Sequence, residues 1–99
     1  MRKNGMRPIH PGEVLREDYL AELGMSANAL AKALKVPAPR INDIVRERRG
    51  ISADTALRLA RYFDTTPRFW LNLQLTYDLR IAEARSGRRI AREVPRKAA

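Results

Sequence analysis

The chain has 99 residues, 44% hydrophobic and 31% charged, with 20 basic against 11 acidic side chains and no cysteine. That size fits one small globular domain. The missing cysteine excludes disulfide frameworks and thiolate metal sites, and no stretch approaches the roughly 18 apolar residues of a membrane span or the apolar core of a signal peptide, so a reducing, cytoplasmic setting is expected. The net charge of +9 favours a polyanionic partner, because each phosphate neutralised releases condensed counterions.

Residues 1–10 are basic and irregular and are expected to form a flexible leader. A first helix begins at Pro11-Gly12-Glu13, where proline suits the first helical position and a carboxylate suits the positive end of the dipole. Leu15, Tyr19, Leu20 and Leu23 recur at helical spacing until Gly24 ends the run. Ser26 caps a second helix with an apolar stripe of Ala27, Leu30, Ala31 and Leu34. Val36-Pro37-Ala38-Pro39 breaks it, and a third helix starts within this turn, facing Ile41, Ile44 and Val45 inward. It is expected to run through Arg46-Glu47-Arg48-Arg49 and stop at Gly50. Ser52 or Asp54 caps a fourth helix that buries Ala56, Leu59, Ala60 and Phe63. Thr65-Thr66-Pro67 restarts the chain into a fifth helix, Arg68 to about Ile81.

No segment alternates apolar and polar residues, so the expected fold is all-α, with five helices over residues 11–82. Residues 83–99 read as a basic tail: Ser86-Gly87 and Pro95 are expected to interrupt any long helix, leaving at most a short one around Ile90. From Arg80 onward, Arg80, Arg85, Arg88, Arg89, Arg92, Arg96 and Lys97 stand against Glu83 and Glu93. That composition suits DNA backbone contact, docking of a protein partner or an unstructured tail alike.

The informative stretch is 26–50. Two short amphipathic helices joined by a tight turn follow the helix-turn-helix plan, in which the second helix enters the major groove. With Ile41, Ile44 and Val45 inward, Arg40, Asn42, Asp43 and Arg46 lie outward or at the edges, and Ala38 and Pro39 sit at the helix start. Arg can fork onto guanine, Asn can pair with adenine, and Asp can accept from cytosine N4. Arg46, Arg48 and Arg49 are better placed for phosphates. On pattern alone, a polar-faced helix in an ordinary bundle explains the same residues.

The runs Ser26-Ala-Asn-Ala-Leu-Ala-Lys-Ala-Leu-Lys-Val36, Arg40-Ile-Asn-Asp-Ile-Val45 and Ile51-Ser-Ala-Asp-Thr-Ala-Leu-Arg-Leu-Ala60 resemble an Xre/Cro-type helix-turn-helix domain. The flanking runs Arg7-Pro-Ile-His-Pro-Gly-Glu-Val-Leu15 and Thr65-Thr-Pro-Arg-Phe-Trp-Leu-Asn-Leu-Gln74 resemble the HigA-type (VapI-type) antitoxins of bacterial toxin–antitoxin modules. The resemblance spans roughly Arg7 to Leu79. It implies a dimer that binds a palindromic operator in its own promoter and neutralises a HigB-like mRNA-cleaving toxin. It places the recognition turn and helix start on Ala38, Pro39, Arg40, Asn42 and Asp43, and backbone contacts near Ser26, Ala27, Asn28 and Arg46. Relatives usually carry a Ser cap and a long polar side chain where this chain has Pro37, Ala38 and Pro39, so its operator is expected to differ from theirs.

His10, the single histidine, is expected to cap or pack, since one histidine without cysteines builds no metal site. No nucleophile–base pair, phosphate-cradling loop or close carboxylate pair is placed for catalysis, and no cofactor, metal or small-molecule substrate is expected. In the fifth helix Phe69, Trp70, Leu73, Tyr77 and Ile81 share one side, and Leu71, Leu75, Leu79 and Ala82 the opposite one. Either both sides are buried in one bundle or, as favoured, the second side is a homodimer interface, which suits two half-sites about 34 Å apart. Glu13, Glu17, Asp18 and Glu22 give the first helix an acidic face, solvated or, on the family resemblance, a dock for a basic toxin. The alternatives to an antitoxin are a stand-alone Xre-family regulator without a toxin partner and a protein-interaction module with a vestigial helix-turn-helix.

Overall fold

A computed structural model describes residues 7–98; residues 1–6 of the expected leader lie outside them, while Arg7 to His10 are described and pair with or cap the first helix. Five helices follow in order, with no strand among the described residues. Helix α1 runs unbroken through an α-helical Pro11–Val14, a π-helical Leu15–Leu20 and an α-helical Ala21–Leu23. Then come α2 (Ala27–Leu34), α3 (Ala38–Val45), α4 (Ala53–Phe63) and α5 (Pro67–Glu93).

The helix starts are set by short polar caps. His10 Nδ1 accepts from the Gly12 N–H at 2.8 Å. Ser26, Ser52 and Thr66 accept from Ala29, Thr55 and Phe69. Each satisfies an orphan amide, an interaction of about 1 kcal/mol. Ser52, rather than Asp54, therefore caps α4. Gly24, at φ +60°, closes α1 in the left-handed conformation that glycine adopts without strain.

Three details of the helices differ from the sequence reading. Leu23 is 60% exposed. The π-helical turn bonds i to i+5, which lets Leu15 and Leu20, five apart, both point into the core; an α-helix would set them about 140° apart. The inward positions are thereby used up before Leu23. Helix α3 ends at Val45 instead of reaching Gly50, and Glu47, at φ +63°, takes the left-handed position. Helix α5 does not stop near Ile81 but passes through Ser86 and Gly87 to Glu93. One glycine costs a helix only about 1 kcal/mol, and the Ala, Arg and Glu residues around it are strong helix formers. The stop is at Val94, whose extended φ −111°, ψ 101° is what a residue before Pro95 prefers.

Leu15, Leu30, Ile41, Ile44, Leu59 and Trp70 are fully buried at the centre. The Trp70 indole N–H donates to Thr65 Oγ1 at 2.8 Å, and its ring lies 5.1 Å from Tyr19, tying α5 to α1. Helix α1 in turn grips the last turn of α3. A Cβ at Gly12 would lie 1.8 Å from the Ile44 carbonyl oxygen, so the two backbones meet where only hydrogen fits. One turn later the Arg16 guanidinium donates to the Val45 carbonyl and to Glu47 Oε2, closing the C-terminal end of α3. Glu13, expected on an exposed acidic face, is buried and held by both Arg7 guanidinium nitrogens at 2.8 Å.

Two expected outcomes follow from this packing. Gly12→Ala lowers stability by at least about 3 kcal/mol, because backbone must move, and drops the melting temperature by more than about 12 °C. Gly87→Ala, where the nearest atom to a new Cβ is 3.9 Å away, raises stability by about 0.5–1 kcal/mol; both are read by thermal unfolding. Burial pushes the His10 imidazole below its ordinary value of 6.5, against the pull of Glu47 and Asp78 and with the push of Arg16. The unfolded chain thus binds a proton that the folded one resists, so stability is full above pH 6.5 and falls as the pH drops below it. Denaturant titrations across this window should show that slope in the wild type and a flatter one in His10→Asn, which keeps a capping acceptor.

Candidate nucleic-acid interface

Helices α2 and α3 carry the candidate residues. The turn between them is made by Lys35 at φ +62° and by Pro37, which precedes α3 without a side-chain cap. Ala38 and Pro39 form the first turn; proline is tolerated there because its missing N–H would be unpaired anyway. The Arg40 N–H turns back onto the Pro37 carbonyl at 3.1 Å. This helix start therefore presents an apolar corner, with Pro37 and Pro39 exposed and Ala38 half-buried.

Ile41 and Ile44 are fully buried, which fixes the orientation of α3. At about 100° per residue, Pro39 and Arg46 then point straight out, Asn42 and Asp43 flank them on opposite sides, and Arg40 occupies the edge on the Asp43 side. The Asn42 amide donates to Asn28 Oδ1 at 2.7 Å and to the Ala38 carbonyl at 3.0 Å, fastening α3 to the first turn of α2. Asn28 keeps its own amide hydrogens on the exposed side, beside the capping Ser26 and the half-buried Ala27.

The other edge is ionic. Arg40 lies 2.6 Å from Asp54, which also receives Arg58 at 2.9 Å. Arg58, and after it Arg40, hold the Asp54 carboxyl below the usual carboxylate range. Arg58 also donates to the Leu34 carbonyl at 2.9 Å, closing the end of α2. The sequence reading missed Asp54 and Arg58 as parts of this surface. Their i, i+4 spacing on α4 was a usable signal for the pair, but nothing in the sequence linked them to Arg40.

Beyond α3, Asp43 and Arg49 approach to 3.6 Å, and the Arg48 N–H donates to the Asp43 carbonyl at 2.8 Å. Arg46, Arg48 and Arg49 are all exposed; the first two make no ion pair among the described residues. The expected residues thus form one surface: an apolar corner, a polar ridge and a basic end. Asp43 and Arg40 enter it already paired, a state the sequence did not indicate.

Elsewhere, Leu71, Leu75 and Leu79 are 37%, 56% and 54% exposed along α5, an uncovered apolar stripe. Glu17, Asp18 and Glu22 are exposed on α1, with Glu17 paired to Arg16 at 2.9 Å. Buried Glu13 does not belong to that face. Among the described residues no group of His, Cys, Asp or Glu is arranged to hold a metal ion, and no helix is long and apolar enough to cross a membrane.

The helix-turn-helix family model matches residues 15–70. Virulence-associated protein I of Dichelobacter nodosus is 64% identical over 81 residues, 82% of this chain and 75% of that protein. The structure of Pseudomonas aeruginosa antitoxin HigA with the higBA promoter is similar at 58% identity and a TM-score of 0.90, over 93% of this chain and all of that one. Antitoxin GraA in complex with its operator is similar at 58% identity and a TM-score of 0.89, over the whole of both chains. Carrying the α2–α3 unit inside this family match, the chain belongs to the Xre/Cro helix-turn-helix family, in its HigA/VapI-type branch.

Proposed function

We propose that this protein is the antitoxin of a type II toxin–antitoxin module: a cytoplasmic homodimer that represses its own promoter and neutralises a HigB-like mRNA endoribonuclease by direct binding. The carrying observation is the α2–α3 surface, with its outward ridge and basic end, in a chain 58% identical to HigA with the higBA promoter and to GraA with its operator. It is a binder on both counts, with no catalytic role, cofactor or small-molecule substrate assigned.

On operator DNA, α3 enters the major groove. Ala38 and Pro39 offer apolar contact to thymine methyl groups, and Asp43 accepts from cytosine N4. Asn42, its amide hydrogens engaged by Asn28 and Ala38, reads through its free carbonyl oxygen. Arg40 exchanges Asp54 for a guanine edge; Arg58 stays on Asp54, so the exchange strands no carboxylate. The donors that remain on Asn28, the amides around Ser26 and Ala27, and Arg46, Arg48 and Arg49 take phosphates, which fix register rather than sequence. The Leu71–Leu75–Leu79 stripe pairs two protomers about a two-fold axis, matching a palindrome. Glu17, Asp18 and Glu22 form the acidic dock for a basic toxin.

Binding titrations against the promoter separate the two kinds of contact. Arg40→Ala costs about 1–3 kcal/mol on the operator and relaxes one base position. Arg46→Ala weakens all sequences alike and makes the salt dependence shallower by about 0.9. If Arg40→Ala weakens operator and scrambled DNA by the same factor, leaving the specificity ratio of the wild type, Arg40 is removed from base reading. The function itself is tested by growth: the small protein encoded beside this one should arrest cells when induced alone and not when co-induced. Glu17→Lys/Asp18→Lys should lose that rescue while keeping promoter binding; toxicity without rescue by the wild type overturns the antitoxin reading.

A further inference from the structure

The distal half of α5 has no counterpart in the helix-turn-helix unit and contributes nothing to the core, since Trp70 is the only buried residue on the whole helix. The long axis of the molecule, 53 Å against 27 and 23 Å, reflects this rod projecting from the body. On it Arg85, Arg88, Arg89 and Arg92 recur at i, i+3, i+4 and i+7, within an arc of about 100°. Arg89 is loosely satisfied by Glu93 at 3.7 Å and Ser86 at 3.4 Å. Arg85, Arg88 and Arg92 have no acidic partner among the described residues. Like charges at these spacings destabilise a helix, so the face is unfavourable for the isolated chain and becomes favourable when a polyanion lies along it.

Its direction identifies the polyanion. Gln74 and Asp78 lie in the same angular sector of α5, and Gln74 Oε1 accepts the Ile51 N–H at 2.7 Å and touches Gly50, directly after Arg48 and Arg49. The arginine face thus continues the basic end of α3, about 16–27 Å farther along at 1.5 Å per residue. It is separate from the apolar stripe, whose extension through Ala82 and Ser86 to the exposed Ile90 runs at roughly 90° to it. Pairing of that stripe with a second copy leaves Arg85, Arg88 and Arg92 open, with Arg89 at its border beside Ser86.

We infer that Arg85, Arg88, Arg89 and Arg92 form a second duplex-DNA site that grips the phosphate backbone outside the operator half-site, extending the footprint without adding sequence choice. This rests on the operator-binding reading above. The test compares the full chain with Arg85→Gln/Arg88→Gln/Arg92→Gln on two duplexes: the minimal palindrome, and the same palindrome with about one helical turn, 34 Å, of arbitrary DNA on each side. The wild type should bind the longer duplex more tightly and with a steeper salt dependence, whatever the flanking sequence. The variant should lose that gain, its slope shallower by about 0.9 for each contact removed, and bind the minimal palindrome as the wild type does. Circular dichroism confirms that glutamine, a good helix former, preserves α5. Identical slopes for the two proteins on the long duplex overturn the inference, as does a variant that keeps the long-duplex gain but loses toxin neutralisation or RNA binding. If the wild type binds neither duplex, it is the operator reading that fails.

Discussion

The arrangement hangs on how α1 holds the far end of α3. Gly12 lets the two backbones touch at the Ile44 carbonyl, and Arg16 closes the next carbonyl, that of Val45. An eight-residue helix that follows one proline and carries another in its first turn is too short to hold itself. Its direction must come from neighbours, and α1 supplies it at the C-terminal end while Asn28 supplies it at the start. The π-helical turn in α1 belongs to the same device. It lets one helix bury Leu15 and Leu20 in the core and still present Gly12 and Arg16 to α3.

With α3 fixed, its two edges serve different ends. The Asn28–Asn42 contact is neutral and holds α2 and α3 in register. The Arg40–Asp54–Arg58 set is charged and largely exposed, so solvent screens it and it contributes little to stability. It keeps Arg40 extended along the edge, on a carboxylate that Arg58 shares. A side chain held this way loses less freedom on meeting DNA than one that starts unrestrained. The apolar corner of Pro37, Ala38 and Pro39 leaves the start of α3 without side-chain donors, so in the proposed operator complex discrimination falls to the middle of the helix.

The two ends of the chain show how far pattern reading reaches. Glu13 and Glu17 look alike in the sequence, both acids on the first helix, yet one is buried under Arg7 and the other is exposed. The difference comes from Arg7, which folds back over Glu13 from before the helix, a contact that helical periodicity does not encode. Ser86-Gly87 reads as a break because both residues are weak helix formers, but the penalty is local and small beside the propensity of a long Ala- and Arg-rich run. Gly50 reads as a stop because glycine favours the left-handed position. The chain instead places Glu47 there and uses Gly50 to let Gln74 come close.

The sequence by itself determined the all-helical class, five helix starts, the inward faces of α2, α3 and α4, and the polar and basic residues that share the α2–α3 surface. Each of these follows from short-range chemistry: a capping oxygen, a proline's fixed φ, a 3.6-residue period. Only the tertiary structure decided which charges are free and which are spent, and where α3 stops. Those outcomes depend on which backbone carbonyl or side chain arrives from a distant part of the chain, as Arg16 does at Val45 and Asp54 at Arg40. A period along the sequence carries no record of such arrivals, because the contacts are fixed by how whole helices pack.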